Sequence, residues 1–130
     1  VPTPFLATLL LPLALMQVSP DEHAKCEAHA NALFEALDAG EFDKARADFD
    51  AALATRYPAT KVRDDYAALP SRLGRMMGRG RPHVGDMAGR AVVMAPMIFE
   101  RGTVTAEVHC GADGAITDVK LEPTQAMDSP

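Results

Sequence analysis

The sequence predicts an α+β fold in which N-terminal helices pack on a curved antiparallel sheet. Three observations carry this. Up to about Met77 the apolar residues recur at helical spacing. From about Val84 they alternate as they do in strands. The alternating part contains an Asp113-Gly114 turn with a strand-like run on each side. A helix layer over a curved sheet makes a cone with room for a pocket between the layers.

The 130 residues suit one domain that can bury a core. Hydrophobic residues make up 48% and charged residues 24%, which excludes wholesale disorder. The net charge of -5 excludes a general nucleic-acid role, because phosphate backbones need a basic surface. Trp is absent and aromatics are 5%, so no stacking platform for bases is expected. The seven Met could line an adaptable core or pocket.

Residues 1–20 read as a leader. Phe5 to Met16 (FLATLLLPLALM) is almost wholly apolar. It is shorter than the ~20 residues that cross a bilayer, so no membrane span is expected. Its length suits the central region of a secretory signal, which makes the protein secreted or periplasmic. The alternative is a disordered or helix-covering apolar tail. The fold then occupies residues 21–123, and residues 124–130 form a flexible tail.

The first helix spans roughly Asp21 to Ala39, with Cys26, Ala30, Leu33, Phe34 and Leu37 on its buried face. Gly40 stands where a left-handed cap belongs. Phe42, Ala45, Phe49, Ala52 and Leu53 form the stripe of a second helix, which ends before Pro58. Thr60 caps a third, with Val62, Tyr66, Leu69, Leu73 and Met76 or Met77 as its stripe. Pro70 should break or kink that helix. Gly74, Gly78 and Gly80 then dissolve it into a loop.

Val84 to Ala88 reads as a weak strand. Ala91 to Phe99 is apolar on both faces and reads as central, with Pro96 implying a bulge or an edge. Thr103 to Cys110 alternates cleanly. Val104, Ala106, Val108 and Cys110 share one face; Thr103, Thr105, Glu107 and His109 share the other. Ile116 to Leu121 returns after the turn.

Two strings carry a resemblance. Residues 32–45 (ALFEALDAGEFDKA) place a Gly at the end of one helix and an aromatic at the start of the next. Residues 93–116 (VMAPMIFERGTVTAEVHCGADGAI) hold the hairpin region. Together they resemble the nuclear transport factor 2-like (cystatin-like) superfamily. The resemblance is to its branch of bacterial domains of unknown function, found alone behind signal peptides or in front of α/β-hydrolase domains. It extends over roughly Glu27 to Pro123. It implies a cystatin-like cone and a homodimer, and it supplies no catalytic residues or cofactor. Members of the branch usually carry a Trp in the third helix, near where Tyr66 stands here.

Candidate chemistry is sparse. In an oxidising compartment Cys26 and Cys110 can pair, one on the first helix and one at the end of a strand beneath it. The alternative is two separate buried thiols. No zinc spacing is present, and no metal site is expected. Glu107 and His109 leave the same strand face and could shuttle a proton; a solvent-facing or dimer-facing polar row is the simpler account. His83 with Asp86 is a second, weaker pair. Met94 and Met97 with His83 hint at copper, but Met at strand positions is more often core. Arg72, Arg75, Arg79 and Arg81 form a basic run that reads as a solvated patch rather than a phosphate loop. His23 and His29 read as surface residues.

Helix stripes and strand faces must converge between the layers; the space there is either closed core or an open pocket lined by Phe34, Phe49, Tyr66, Met94 and Phe99. Arg72 or Arg75 would stand at its mouth and hold an anionic end. The functional expectation is an exported, non-enzymatic module for a small apolar or amphipathic ligand or a protein. The alternatives are a small isomerase, cyclase or hydrolase using Glu107 and His109, or an accessory domain working with a separate hydrolase. Thr103, Thr105, Ile116 and Asp118 are the expected dimer contacts.

Overall fold

The computed structural model describes residues 18–124; the apolar leader stretch and the end of the tail lie outside them. Helices come first: α1 (Pro20–Asp38), α2 (Phe42–Ala45), α3 (Ala51–Arg56) and α4 (Ala59–Leu73). Five strands follow: β1 (Met76–Arg79), β2 (His83–Met87), β3 (Arg90–Phe99), β4 (Gly102–Cys110) and β5 (Ile116–Pro123). They form a curved, unclosed antiparallel sheet with the helices on its concave face. The fold class is therefore the one the two periods predict.

Local chemistry sets α1. Ser19 caps it, its side chain accepting the Glu22 N–H at 3.1 Å, and Pro20 occupies the first turn, where a missing N–H costs nothing. Val18 is already buried, so packing begins just ahead of the expected boundary at residue 21. Gly40 takes φ +73, and the Glu41 N–H closes back onto the Ala36 carbonyl at 2.9 Å. The buried face is the one the stripe names, with Ala36 added.

The expected second helix is two. Phe42 to Leu53 reads as one stripe, but the chain leaves the helix after Ala45. Phe49 pairs in parallel with Ile116 through two backbone bonds: Asp50 N–H to Ile116 O at 2.9 Å and Ile116 N–H to Asp48 O at 2.8 Å. Asp50 then restarts the helix, its carboxylate accepting the Leu53 N–H at 2.8 Å. Arg46 closes the far end, donating to the carbonyls of Ala54 (2.6 Å) and Tyr57 (2.9 Å).

α4 departs from expectation at its start. Its N-cap is Pro58 without a side-chain bond, and Thr60 lies inside the helix. Of the break or kink expected at Pro70, the break does not occur: the helix runs on to Leu73, where Gly74 at φ +83 ends it. Met76 and Met77 leave the helical stripe altogether and open β1.

β3 is the central strand. It pairs with β4 on one side and with both β1 and β2 on the other. The β3–β4 register runs unbroken from Val92↔His109 to Phe99↔Gly102, so Pro96 makes no bulge against β4. The Pro96 carbonyl accepts the Gly80 N–H at 2.8 Å. Its missing N–H therefore falls on the same side, at the gap between β1 and β2. Gly80 must lie flat on the Pro96 ring; a Cβ there would run into Pro96 Cγ.

The core lies between α1 and the concave sheet face. Ala91, Val93, Ala95, Met97 and Phe99 from β3 meet Val104, Ala106, Val108 and Cys110 from β4. Cys26 and Cys110 are disulfide-bonded, with their Cα atoms 5.8 Å apart, and both are fully buried.

Candidate functional site

The expected pocket walls do not meet around an opening. Phe34 and Phe99 are buried in the core, and Phe49 and Tyr66 pack against it. Met94 sits on the other face of the sheet. Its cross-strand partner is Glu107, whereas Phe99, an odd number of residues along β3, faces the core. Period two forbids both from lining one cavity on a regular strand.

Two openings lie elsewhere: a hollow of about 490 Å³ between residues 40–44 and the start of α4, and one beside β5. The latter is a groove of about 440 Å³ between α3, α4 and β5. Val119 and Leu121, two apart on β5, give its floor; they pair with Val108 and Ala106 of the core face. Leu53 and Leu69 reach in from α3 and α4. Lys61, Asp65, Ala68, Leu69 and Arg72 share one face of α4, at the spacing that stacks side chains along a helix. α1 covers the sheet across β2 to β5, while the main neighbour of α4 is α2. α3 and α1 reach β5 but α4 stands off from it, which leaves the groove between them.

One end of the groove is a closed polar network. Tyr57 stacks on Phe49, their planes 5° apart, and donates its hydroxyl to Asp65 Oδ2 at 3.0 Å. Lys61 Nζ approaches the same oxygen at 3.4 Å and lies 5.7 Å from the Tyr57 ring centre. Burial, reinforced by Asp65, holds the Tyr57 phenol well above its ordinary range, so it remains a donor. Arg56 donates to the Thr117 carbonyl at 2.9 Å and pairs with Asp118 at 3.6 Å.

The basic run is dispersed. Arg72 lines the groove. Arg75 does not; it is exposed, and its backbone N–H donates to Glu100 at 2.7 Å. Arg79 turns inward beside Met97, 4.7 Å over the Phe34 ring, and donates to Asp38 at 2.6 Å. Tyr66 shares that carboxylate at 2.5 Å, and burial with the Asp38 bond pushes its pKa up to about 12. Arg79 therefore belongs to the core rim, not to a solvated patch.

Glu107 and His109 do meet, at 2.6 Å, on the convex face opposite the groove. Their cross-strand neighbours on β5 are Lys120 and Asp118. His83 and Asp86 do not pair: His83 is opposite Met94 on the convex side, while Asp86 binds His23 of α1. Met97 is buried in the core and Met94 is not, so the copper grouping does not form. His23 and His29 are not idle surface residues. The His29 Nδ1–H donates to the Gly114 carbonyl at 2.6 Å, tying α1 to the β4–β5 turn as His23 ties it to β2. Among the described residues no cluster of three or more His, Cys, Asp or Glu could hold a metal ion, and no helix is long and apolar enough to cross a membrane.

Sequence reasoning missed Tyr57, Lys61, Asp65 and the β5 floor. The signal was present in the α4 face from Lys61 through Asp65 and Leu69 to Arg72, charged at both ends and aliphatic in its middle. No family model matches the chain, and neither does a curated protein or a solved structure.

Proposed function

We propose that this chain is a non-enzymatic binding module that takes a small apolar or amphipathic ligand in the groove between α3, α4 and β5. The observation that carries the reading is the groove itself: about 440 Å³, an aliphatic floor and a few fixed polar groups. Ligand sites commonly have that size. The Glu107–His109 pair, which an enzyme of this shape would need in the cavity, lies on the opposite face. Helices followed by a curved, unclosed sheet support membership of the nuclear transport factor 2-like superfamily. The Cys26–Cys110 bond supports a secreted or periplasmic location, where disulfides persist. The convex face, with Thr103 and Thr105 beside exposed Ile98, is the candidate homodimer contact; Ile116 is buried and Asp118 lines the groove, so both drop out of it.

The test is titration with a neutral apolar fluorophore, N-phenyl-1-naphthylamine. Binding should be saturable. Leu121→Arg should abolish it, because the charge enters the groove floor. Met94→Arg and the double change Glu107→Ala with His109→Ala should leave it unaltered, because all three residues face away. Loss of binding in the convex-face variants, with Leu121→Arg unaffected, would reverse the assignment.

A further inference from the structure

We infer that the groove selects a linear amphipath with a single negative charge, a carboxylate on an aliphatic tail, and that Arg72 holds the head. This rests on the reading of the groove as a ligand site. Five charged residues line it: Arg56, Lys61, Asp65, Arg72 and Asp118. Four are engaged with one another, Lys61 with Asp65 at 3.4 Å and Arg56 with Asp118 at 3.6 Å. The fifth is Arg72. Among the described residues its guanidinium has no acidic partner. Three cations against two anions leave one positive charge, and the pairing places that surplus at the C-terminal end of α4.

A lone guanidinium suits a lone carboxylate, which it can bind through two parallel N–H···O bonds. A cationic head would be repelled there, and a neutral head would gain no charge-assisted bond. A multiply charged anion would meet the field of a chain with net charge -5. The negative end of the α4 dipole works against any anion at this spot. Arg101 offsets it: its backbone N–H donates to the Leu73 carbonyl at 2.8 Å and its Nη2 to the Arg72 carbonyl at 3.3 Å. The same two bonds pin the last turn of α4 to the β3–β4 turn, so the backbone carrying Arg72 is fixed.

The rest of the face sets the tail. Arg72 stands roughly 16 Å along the helix from Lys61, at the usual rise per residue. Between them lie Ala68 and Leu69 of α4, with Val119 and Leu121 of β5 opposite. That stretch is aliphatic, and it ends against the Tyr57–Asp65–Lys61 network, whose donors already share one oxygen. The head therefore belongs at Arg72 and the tail runs toward Tyr57.

Calorimetric titration of the full, oxidised chain with decanoate, decanol and decylammonium tests this at neutral pH. Decanoate should bind about tenfold tighter than decanol, the gain of one charged hydrogen-bonded contact, and decylammonium weakest. Arg72→Gln should bring decanoate to the level of decanol, and Arg72→Lys should restore part of the difference. Leu121→Arg, or Val119→Arg should the first fail to fold, should remove binding of all three. Equal binding of decanoate and decanol, or a preference that survives Arg72→Gln, overturns the assignment of the head while the groove reading stands. No binding of any of the three to the unaltered chain overturns both.

Discussion

Breaking the Cys26–Cys110 bond should lower stability as much as the most damaging single side-chain truncations in the core. The two cysteines are 84 residues apart in sequence. In the chain-entropy account, closing a loop of that length removes freedom from the unfolded chain worth about 4–5 kcal/mol at room temperature. That approaches half of the ~10 kcal/mol typical of a whole domain. In a domain of this size about 1 kcal/mol moves the melting temperature by ~3–5 °C, so the loss should be on the order of 15 °C. Both cysteines are fully buried, with exposures of 0% and 1%. Reductant alone should therefore act slowly on the folded protein, and reduction has to be done in denaturant, followed by refolding. The assay is thermal unfolding by circular dichroism, with thiol titration reporting two free cysteines in the reduced sample. The double variant Cys26→Ala with Cys110→Ala separates loss of the loop constraint from crowding by two unbonded sulfurs. If both samples melt within ~3 °C of the oxidised protein, the bond does not act through the unfolded chain, and the reasoning is refuted.

Four other outcomes follow from the same structure. Leu53→Ala, at a position 2% exposed, should cost about 2–5 kcal/mol in denaturant unfolding, because a methyl-lined void opens under the groove. Gly80→Ala should cost about 1–3 kcal/mol, because the added methyl meets the Pro96 ring; Gly78→Ala, where a Cβ has open space, is the control and should change little. Asp50→Ala should cost about 1 kcal/mol by uncapping α3, and Asp50→Asn should recover most of it. In ultraviolet titration neither tyrosine should ionise near pH 10, and Tyr66 should do so at about 12, with Tyr57 higher still. Because folding raises these pKa values, their contribution to stability is complete below about pH 10 and is lost as pH rises through the folded values. A Tyr phenolate appearing near pH 10 in the folded protein would contradict the burial of the rings and, after it, the Asp38 and Asp65 contacts.

What the sequence disclosed was whatever local pattern alone decides. The α1 stripe, the Gly40 cap, the clean alternation of Thr103 to Cys110 and the Asp113-Gly114 turn each need only neighbouring residues, and each is found in place. The misreadings share a different cause. Phe42 to Leu53 fits a helix, yet Phe49 leaves it to pair with Ile116, a partner 67 positions away. Met76 and Met77 continue the α4 stripe on paper, but β3 offers an unpaired edge that takes them as a strand. Arg79 looked solvated within a basic run; its register opposite Met97 turns it inward over Phe34. The groove depended on how far α4 stands from β5, which no periodicity encodes. Met94 and Phe99 are an exception, since strand parity alone separates them.

The most direct measurement of the central claim is methyl NMR on the oxidised chain during titration with decanoate. Leu53, Leu69, Val119 and Leu121 line the groove, while Val92 and Ile98 lie on the other side of the sheet. Saturable shifts are expected in the methyls of the first four, with Val92 and Ile98 unmoved. Shifts confined to Ile98 and its convex-face neighbours, or no saturable shift in the four groove residues, would contradict it.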